Sequence, residues 1–94
     1  MGFKEAKKNI LSALGEGNFE HEARVDIDAK NMLATGEVSV DELCAVIKKC
    51  NGNDHSSGPH HMAKSVTVHV LKKSGWYIKF YFLKPDAVFI SVHN

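Results

Sequence analysis

Apolar residues Phe3, Ala6, Ile10, Leu11 and Leu14 recur at helical spacing, with Lys4, Lys7 and Lys8 on the other side. This predicts a first helix over about 3–14, ended by Gly15 and Gly17. Asp26 and Asp28 then precede Ala29, Met32 and Leu33, the pattern of a short second helix closed by Gly36. Ser39 and Glu42 have the spacing of a capping box, with Val38 placed as a hydrophobic staple. Leu43, Val46 and Ile47 follow as the buried stripe of a third helix that ends near Cys50. Residues 51–62 are polar, rich in Asn, Gly, Ser, Pro and His, and read as a loop. From residue 65 the period changes to two. Runs over 65–71, 76–83 and 87–93 are predicted strands, separated by the turn signals Lys73-Ser74-Gly75 and Lys84-Pro85-Asp86. A further short strand is placed over 18–25. The sum is one α+β domain over 1–94, with helices (about 3–50) packed on one face of an antiparallel sheet of three to four strands (63–94).

Alternation assigns each strand residue to a face. Val66, Val68, Val70, Trp76, Ile78, Phe80, Phe82, Val88, Ile90 and Val92 are predicted to pack on the helices. Thr67, His69, Tyr77, Lys79, Tyr81, Phe89, Ser91 and His93 then share the opposite face as one patch. Imidazoles move protons at neutral pH, lysine stabilises developing negative charge, and tyrosine orients or stacks on a base. A routine solvated face would also be polar, and alternation alone weighs the two readings equally.

Charge sharpens the picture. The 94 residues hold 12 Lys plus Arg, 11 Asp plus Glu and six His, for a formal net charge of +1. That total excludes an arm that coats nucleic acid by charge alone. Residues 63–94, however, carry five lysines against Asp86, a net of +4, so the first 62 sum to −3. The sheet half is basic, aromatic and histidine-bearing, which suits an RNA backbone.

Outside the sheet, His60 and His61 lie where the loop can bring an imidazole to the patch, whereas His55 reads as solvated. His21 and Arg24 can add a phosphate contact, against the more ordinary pairing of Arg24 with Glu20, Glu22 or Asp28. Cys44 and Cys50 are too badly aimed to bridge along a helix and lack the close spacing of a structural zinc site. No metal or cofactor is called for, and zinc is the weakest of the readings. Reduced thiols suit a cytosolic protein. No apolar run is long enough to span a bilayer and Lys4, Lys7 and Lys8 interrupt the first segment, so the expected location is the cytoplasm, without membrane contact.

The run Trp76-Tyr77-Ile78-Lys79-Phe80-Tyr81-Phe82, then Val88-Phe89-Ile90-Ser91-Val92-His93, resembles the final hairpin of MqsR-type (motility quorum-sensing regulator) toxins. Asp41-Glu42-Leu43-Cys44-Ala45-Val46-Ile47 is similar to the helix that precedes that family's sheet. The resemblance covers roughly 38–93 and implies a RelE-like ribonuclease fold, metal-free cleavage of messenger RNA, and neutralisation by a cognate antitoxin protein. Tyr77 matches the family's strand tyrosine, His93 stands where the family places a catalytic lysine, and Lys79 and Ser91 fit the local pattern.

The sequence therefore leads to a metal-independent endoribonuclease toxin. His69 and His93 are the expected acid and base, with His60 or His61 as alternative partner. Lys79 and Arg24 neutralise the phosphate, Tyr77 and Tyr81 orient or stack the nucleotide, and Ser91, His61 and His21 complete the RNA contacts. The alternative is a non-catalytic module, or phage-type inhibitor, that blocks a larger protein or a nucleic-acid partner.

Overall fold

The computed structural model describes residues 1–22 and 30–94. In chain order it contains α1 (Phe3–Glu16), β1 (Phe19–His21), α2 (Met32–Thr35), α3 (Val40–Lys48), a 3-10 turn (Gly52–Asp54), β2 (His55–Pro59), β3 (Thr67–Lys73), β4 (Trp76–Leu83) and β5 (Asp86–His93). The α+β reading holds. The sheet has five strands in the order β1-β5-β4-β3-β2, and β1 runs parallel to β5 while the other pairs are antiparallel.

Local signals place the helices. α1 runs two residues past the expected end because Gly15 is accommodated within its last turn. Gly17 stops it, adopting φ 76°, a left-handed conformation that costs glycine little, and its N–H reaches back to the last carbonyls. The N-terminal part of the expected second helix lies outside the described residues, and α2 itself ends at Gly36 as anticipated. The capping box forms: Glu42 N–H donates to Ser39 Oγ at 3.1 Å, and Ser39 N–H donates to Glu42 Oε1 at 3.2 Å. Lys7 Nζ on α1 donates to the carbonyls of Lys48 and Cys50, tying α1 to the end of α3.

Ile10 and Leu14 of α1, Leu43 and Ile47 of α3, and Leu71, Ile78, Phe80, Phe89 and Val92 of the sheet form one core between helices and sheet. Trp76, Ile78, Phe80, Phe82 and Val92 face the helices as expected. The assignments of Thr67, Val68, His69 and Val70 on β3 and of Val88, Phe89 and Ile90 on β5 reverse. His69 pairs with Phe80 and Leu71 with Ile78, so Thr67, His69 and Leu71 face the helices, whereas Val68 and Val70 face outward. In β5, Lys79 pairs with Ser91 but Phe80 pairs with Phe89, leaving Ile90 as the extra residue of a bulge. The bulge changes the parity: Ala87 and Phe89 enter the core before it and Val92 enters after it.

The segment expected to be a loop, 51–62, instead supplies the 3-10 turn and edge strand β2, which pairs with β3 from His55↔Leu71 to Pro59↔Thr67. Its composition hides it, because an edge strand needs no apolar alternation and tolerates proline, whose missing N–H is not required there. The weak strand placed over 18–25 survives as β1; its remainder extends outside the described residues. Between β3 and β4, Ser74 (φ 53°) and Gly75 (φ 84°) make the tight turn signalled by the sequence, with both central residues at positive φ as a type I′ hairpin requires. Among the described residues no helix is long and apolar enough to cross a membrane.

Candidate functional site: the outward sheet face

The face turned away from the helices carries Lys72, Val70 and Val68 on β3, Tyr77, Lys79 and Tyr81 on β4, and Val88, Ser91 and His93 on β5. β2 adds Ser56 and Gly58, which pair with Val70 and Val68. Thus Tyr77, Lys79, Tyr81, Ser91 and His93 do share a face, as their alternation implies.

This face is curled. Glu22 directly follows β1 and His60 directly follows β2, the two edge strands, yet His60 Nε2–H donates to Glu22 Oε1 at 2.8 Å. Four strand spacings of ~4.8 Å would separate the edges of a flat sheet by roughly 19 Å, more than these side chains bridge. The edges must therefore bend toward each other over the outward face, with the bulge at Ile90 adding twist. Tyr81 O–H donates to the same Glu22 oxygen at 3.2 Å, and the rings of His60 and Tyr81 meet edge to face. Beneath this clasp Val68, Val88 and Ile90 are buried although they point away from the helices.

The clasp holds its members in defined states. Met62 N–H donates to His60 Nδ1, so the ring proton sits on Nε2 and both nitrogens of this 7% exposed imidazole are engaged. His60 therefore presents no free nitrogen to a substrate and acts by positioning the chain around it. Burial raises the Tyr81 pKa, and the Glu22 charge and hydrogen bond raise it further, so Tyr81 is a donor and not a base. His61 stacks on His60 with ring centroids 4.9 Å apart and is exposed.

Beside the clasp lies a cleft of about 310 Å³. Val68, Val70 and Ile90 form its floor, residues 56–61 its wall, and Lys79 lies within it. At the far end of the face, His93 stacks on Tyr77 at 5.2 Å, and Lys72 Nζ lies 5.6 Å over the Tyr77 ring. Lys79 is next to Tyr77 along β4 and diagonal to His93 across the pairing with β5, a separation of about 7–8 Å between backbones.

Two expected site residues, His69 and His21, fall elsewhere. His69 is 1% exposed on the helix side, stacked on Phe80, with Nδ1 3.0 Å from His55 Nε2. Burial lowers its pKa, as do the nearby His55 and the amino terminus. It cannot pair with His93, because the sheet lies between them. His55, expected to be merely solvated, is the partner that makes the burial of His69 tolerable. His21 also faces the helix side: its Nδ1 accepts from Asn31 Nδ2–H at 2.9 Å, and Asn31, fully buried, caps α2 as well. Arg24 lies outside the described residues. Glu22 and Gly58 were the residues missed. Glu22 shares the parity of the exposed Glu20, but nothing local signals its partner, 38 residues away.

Cys44 and Cys50 are free thiols whose pKa values burial raises. Among the described residues no three His, Cys, Asp or Glu side chains gather as a metal-ligand set. Comparison of the chain with family models, curated proteins and solved structures finds no match.

Proposed function

We propose that the curled outward face binds single-stranded RNA and cleaves it by metal-independent acid–base chemistry. The observation that carries the reading is Lys79, which lines the cleft together with His61 and stands diagonal to His93 with its stacked Tyr77. In such cleavage the 2′-OH loses its proton to a base, its oxygen attacks the adjacent phosphorus, and the 5′-oxygen leaves with a proton from an acid. The products are a 2′,3′-cyclic phosphate and a 5′-hydroxyl. His93 and His61 take the acid and base roles, Lys79 neutralises charge building on the phosphate, and Tyr77 stacks a base. Ser91, expected as an RNA contact, pairs with Lys79 but is only 5% exposed, so it supports Lys79 from within the sheet. His60, with Glu22 and Tyr81, positions His61. A cytoplasmic toxin held in check by a cognate antitoxin protein is the biological setting that the resemblance to MqsR-type and RelE-like proteins supplies.

The test is incubation of the purified protein with a single-stranded RNA, and with the DNA of the same sequence, in the presence of a chelator. Cleavage of RNA alone, with cyclic-phosphate ends, and loss of it in Lys79→Ala and His93→Ala, is the expected result. Cleavage that both variants retain at full rate refutes the site.

A second reading, a non-catalytic module gripping a protein, draws on β2, whose Ser56, Ser57, Gly58 and Pro59 are exposed along the sheet edge. An extended segment of a partner would add there as a sixth strand. Absence of any RNA cleavage together with stoichiometric co-purification of one protein would favour it.

A further inference from the structure

The cleft beside the clasp has a feature that acid–base chemistry does not require. The two β2 positions that point onto the outward face over β3 are Ser56 and Gly58, both small. Gly58 has no positive φ that would demand glycine, and a Cβ built there meets nothing within 4 Å. Glycine in a strand interior costs roughly 0.5–1 kcal/mol against alanine, so its conformational freedom is no benefit here. What its missing side chain leaves is room directly above Val68, its cross-strand partner and part of the cleft floor.

The lining is ordered by chemistry. Val68, Val70 and Ile90 give an apolar floor, Ser56 and His61 a polar rim, and Lys79 the cation. The lining is thus shared about equally between polar and apolar groups, and about 310 Å³ is near the lower end of the ~300–1,000 Å³ range of small-molecule sites. A planar, partly apolar ring joined to an anion matches this set, with the ring on the valines and the anion on Lys79, a point charge suited to phosphate. The Glu22 carboxylate nearby accepts from His60 and Tyr81, so its charge is already engaged.

We propose that this cleft is a subsite for one nucleotide, its base lying over Val68, Val70 and Ile90 in the space that Gly58 leaves open and its phosphate on Lys79. The ligand class rests on the RNA reading above.

The test titrates isotope-labelled protein with adenosine 3′-monophosphate, adenosine and inorganic phosphate, following backbone amides, and assays the same samples on RNA. The nucleotide should shift the amides of Ser56, Gly58, Val68 and Lys79 and bind more tightly than either fragment. Gly58→Val occupies the space above Val68 and should weaken the nucleotide at least tenfold, and Gly58→Ala, a smaller obstruction safe for the fold, should weaken it less. Lys79→Ala should weaken the nucleotide but not adenosine. Undiminished nucleotide affinity in both Gly58 variants, or amide shifts confined to other regions, overturns the subsite. Should the wild type cut RNA and both Gly58 variants cut it at the same rate, the subsite falls while the nuclease reading stands. Nucleotide binding that the Gly58 variants lose, in a protein that cuts no RNA, leaves the subsite standing and removes the nuclease reading.

Discussion

His69 is an imidazole placed where a core side chain belongs, and replacing it with phenylalanine tests how the fold accommodates it. The ring is 1% exposed, stacked on Phe80 and tilted against Phe82, and its Nδ1 lies 3.0 Å from His55 Nε2 in a hydrogen bond. Burial, then the neighbouring His55, then the amino terminus all depress its pKa, so the folded protein holds it neutral. The unfolded chain titrates near pH 6.5, and the folded chain takes up the same proton only at lower pH. Stability from this group is therefore fully present above about pH 6.5 and is lost as pH falls below it toward the folded value. Each extra proton bound by the unfolded state steepens the loss by ~1.4 kcal/mol per pH unit, so His69 alone accounts for at most about 1.4 kcal/mol between pH 7.5 and 5.5. His55 and His21, also depressed by burial, add to the same slope in both proteins. His69→Phe keeps a ring between Phe80 and Phe82 and leaves half-buried His55 to find water, so at pH 7.5 the change stays near the ~1 kcal/mol of one hydrogen bond. Urea unfolding at pH 7.5, 6.5 and 5.5 should then show the variant losing less stability than the wild type across the series, by no more than about 1.4 kcal/mol. Parallel stability curves would falsify the assignment of His69 as a buried neutral group.

Other outcomes follow from the same contacts. Lys79→Ala should reduce RNA cleavage about 10²–10³-fold, the cost typical of losing one group aimed at developing charge, with an unchanged circular dichroism spectrum. Leu43→Ala removes a fully buried side chain from the centre of the core and should lower unfolding free energy by ~2–5 kcal/mol in urea. Glu22→Ala leaves the Nε2–H of His60 and the hydroxyl of Tyr81 without their acceptor and should cost ~1–3 kcal/mol, whereas Tyr81→Phe, which removes only one donor, should cost about 1 kcal/mol; equal effects would place the clasp's stability elsewhere.

Features set by neighbours in the chain could be read in advance. The capping box needs only Ser39 and Glu42 three apart, and the β3–β4 turn needs only residues that tolerate positive φ, so both followed from spacing. β4 was read on the correct faces because it alternates without interruption. β3 offered two consistent stripes, Val66-Val68-Val70 and Thr67-His69-Leu71, and hydrophobicity alone favours the valines. The decision lies in the curl of the sheet, which buries Val68 outward beneath the clasp, and in His55, which satisfies His69 inward. In β5 the bulge breaks the alternation between Phe89 and Ser91, and no residue type announces it. The clasp joins residues 22 and 60, so its geometry follows from topology and from no local pattern.

The split of charge along the chain, −3 then +4, also changes meaning once the residues are placed. Of the sheet-half lysines, Lys73 lies 3.5 Å from Asp54, whereas Lys72 and Lys79 belong to the outward face. Glu20 and Glu22 stand at the β1 end of that same face, so the surface is basic over β3 and β4 and acidic toward β1. On the proposed RNA reading, the polyanion would lie along the strip that holds Tyr77, Lys79, the cleft and His93. Glu22 can remain near that strip because two donors already engage its oxygen, and those donors reach it only because the sheet is bent. The bulge at Ile90 thus has two consequences with one cause: it sends Phe89 into the core, and it adds to the curl through which one edge of the sheet meets the other across the cleft.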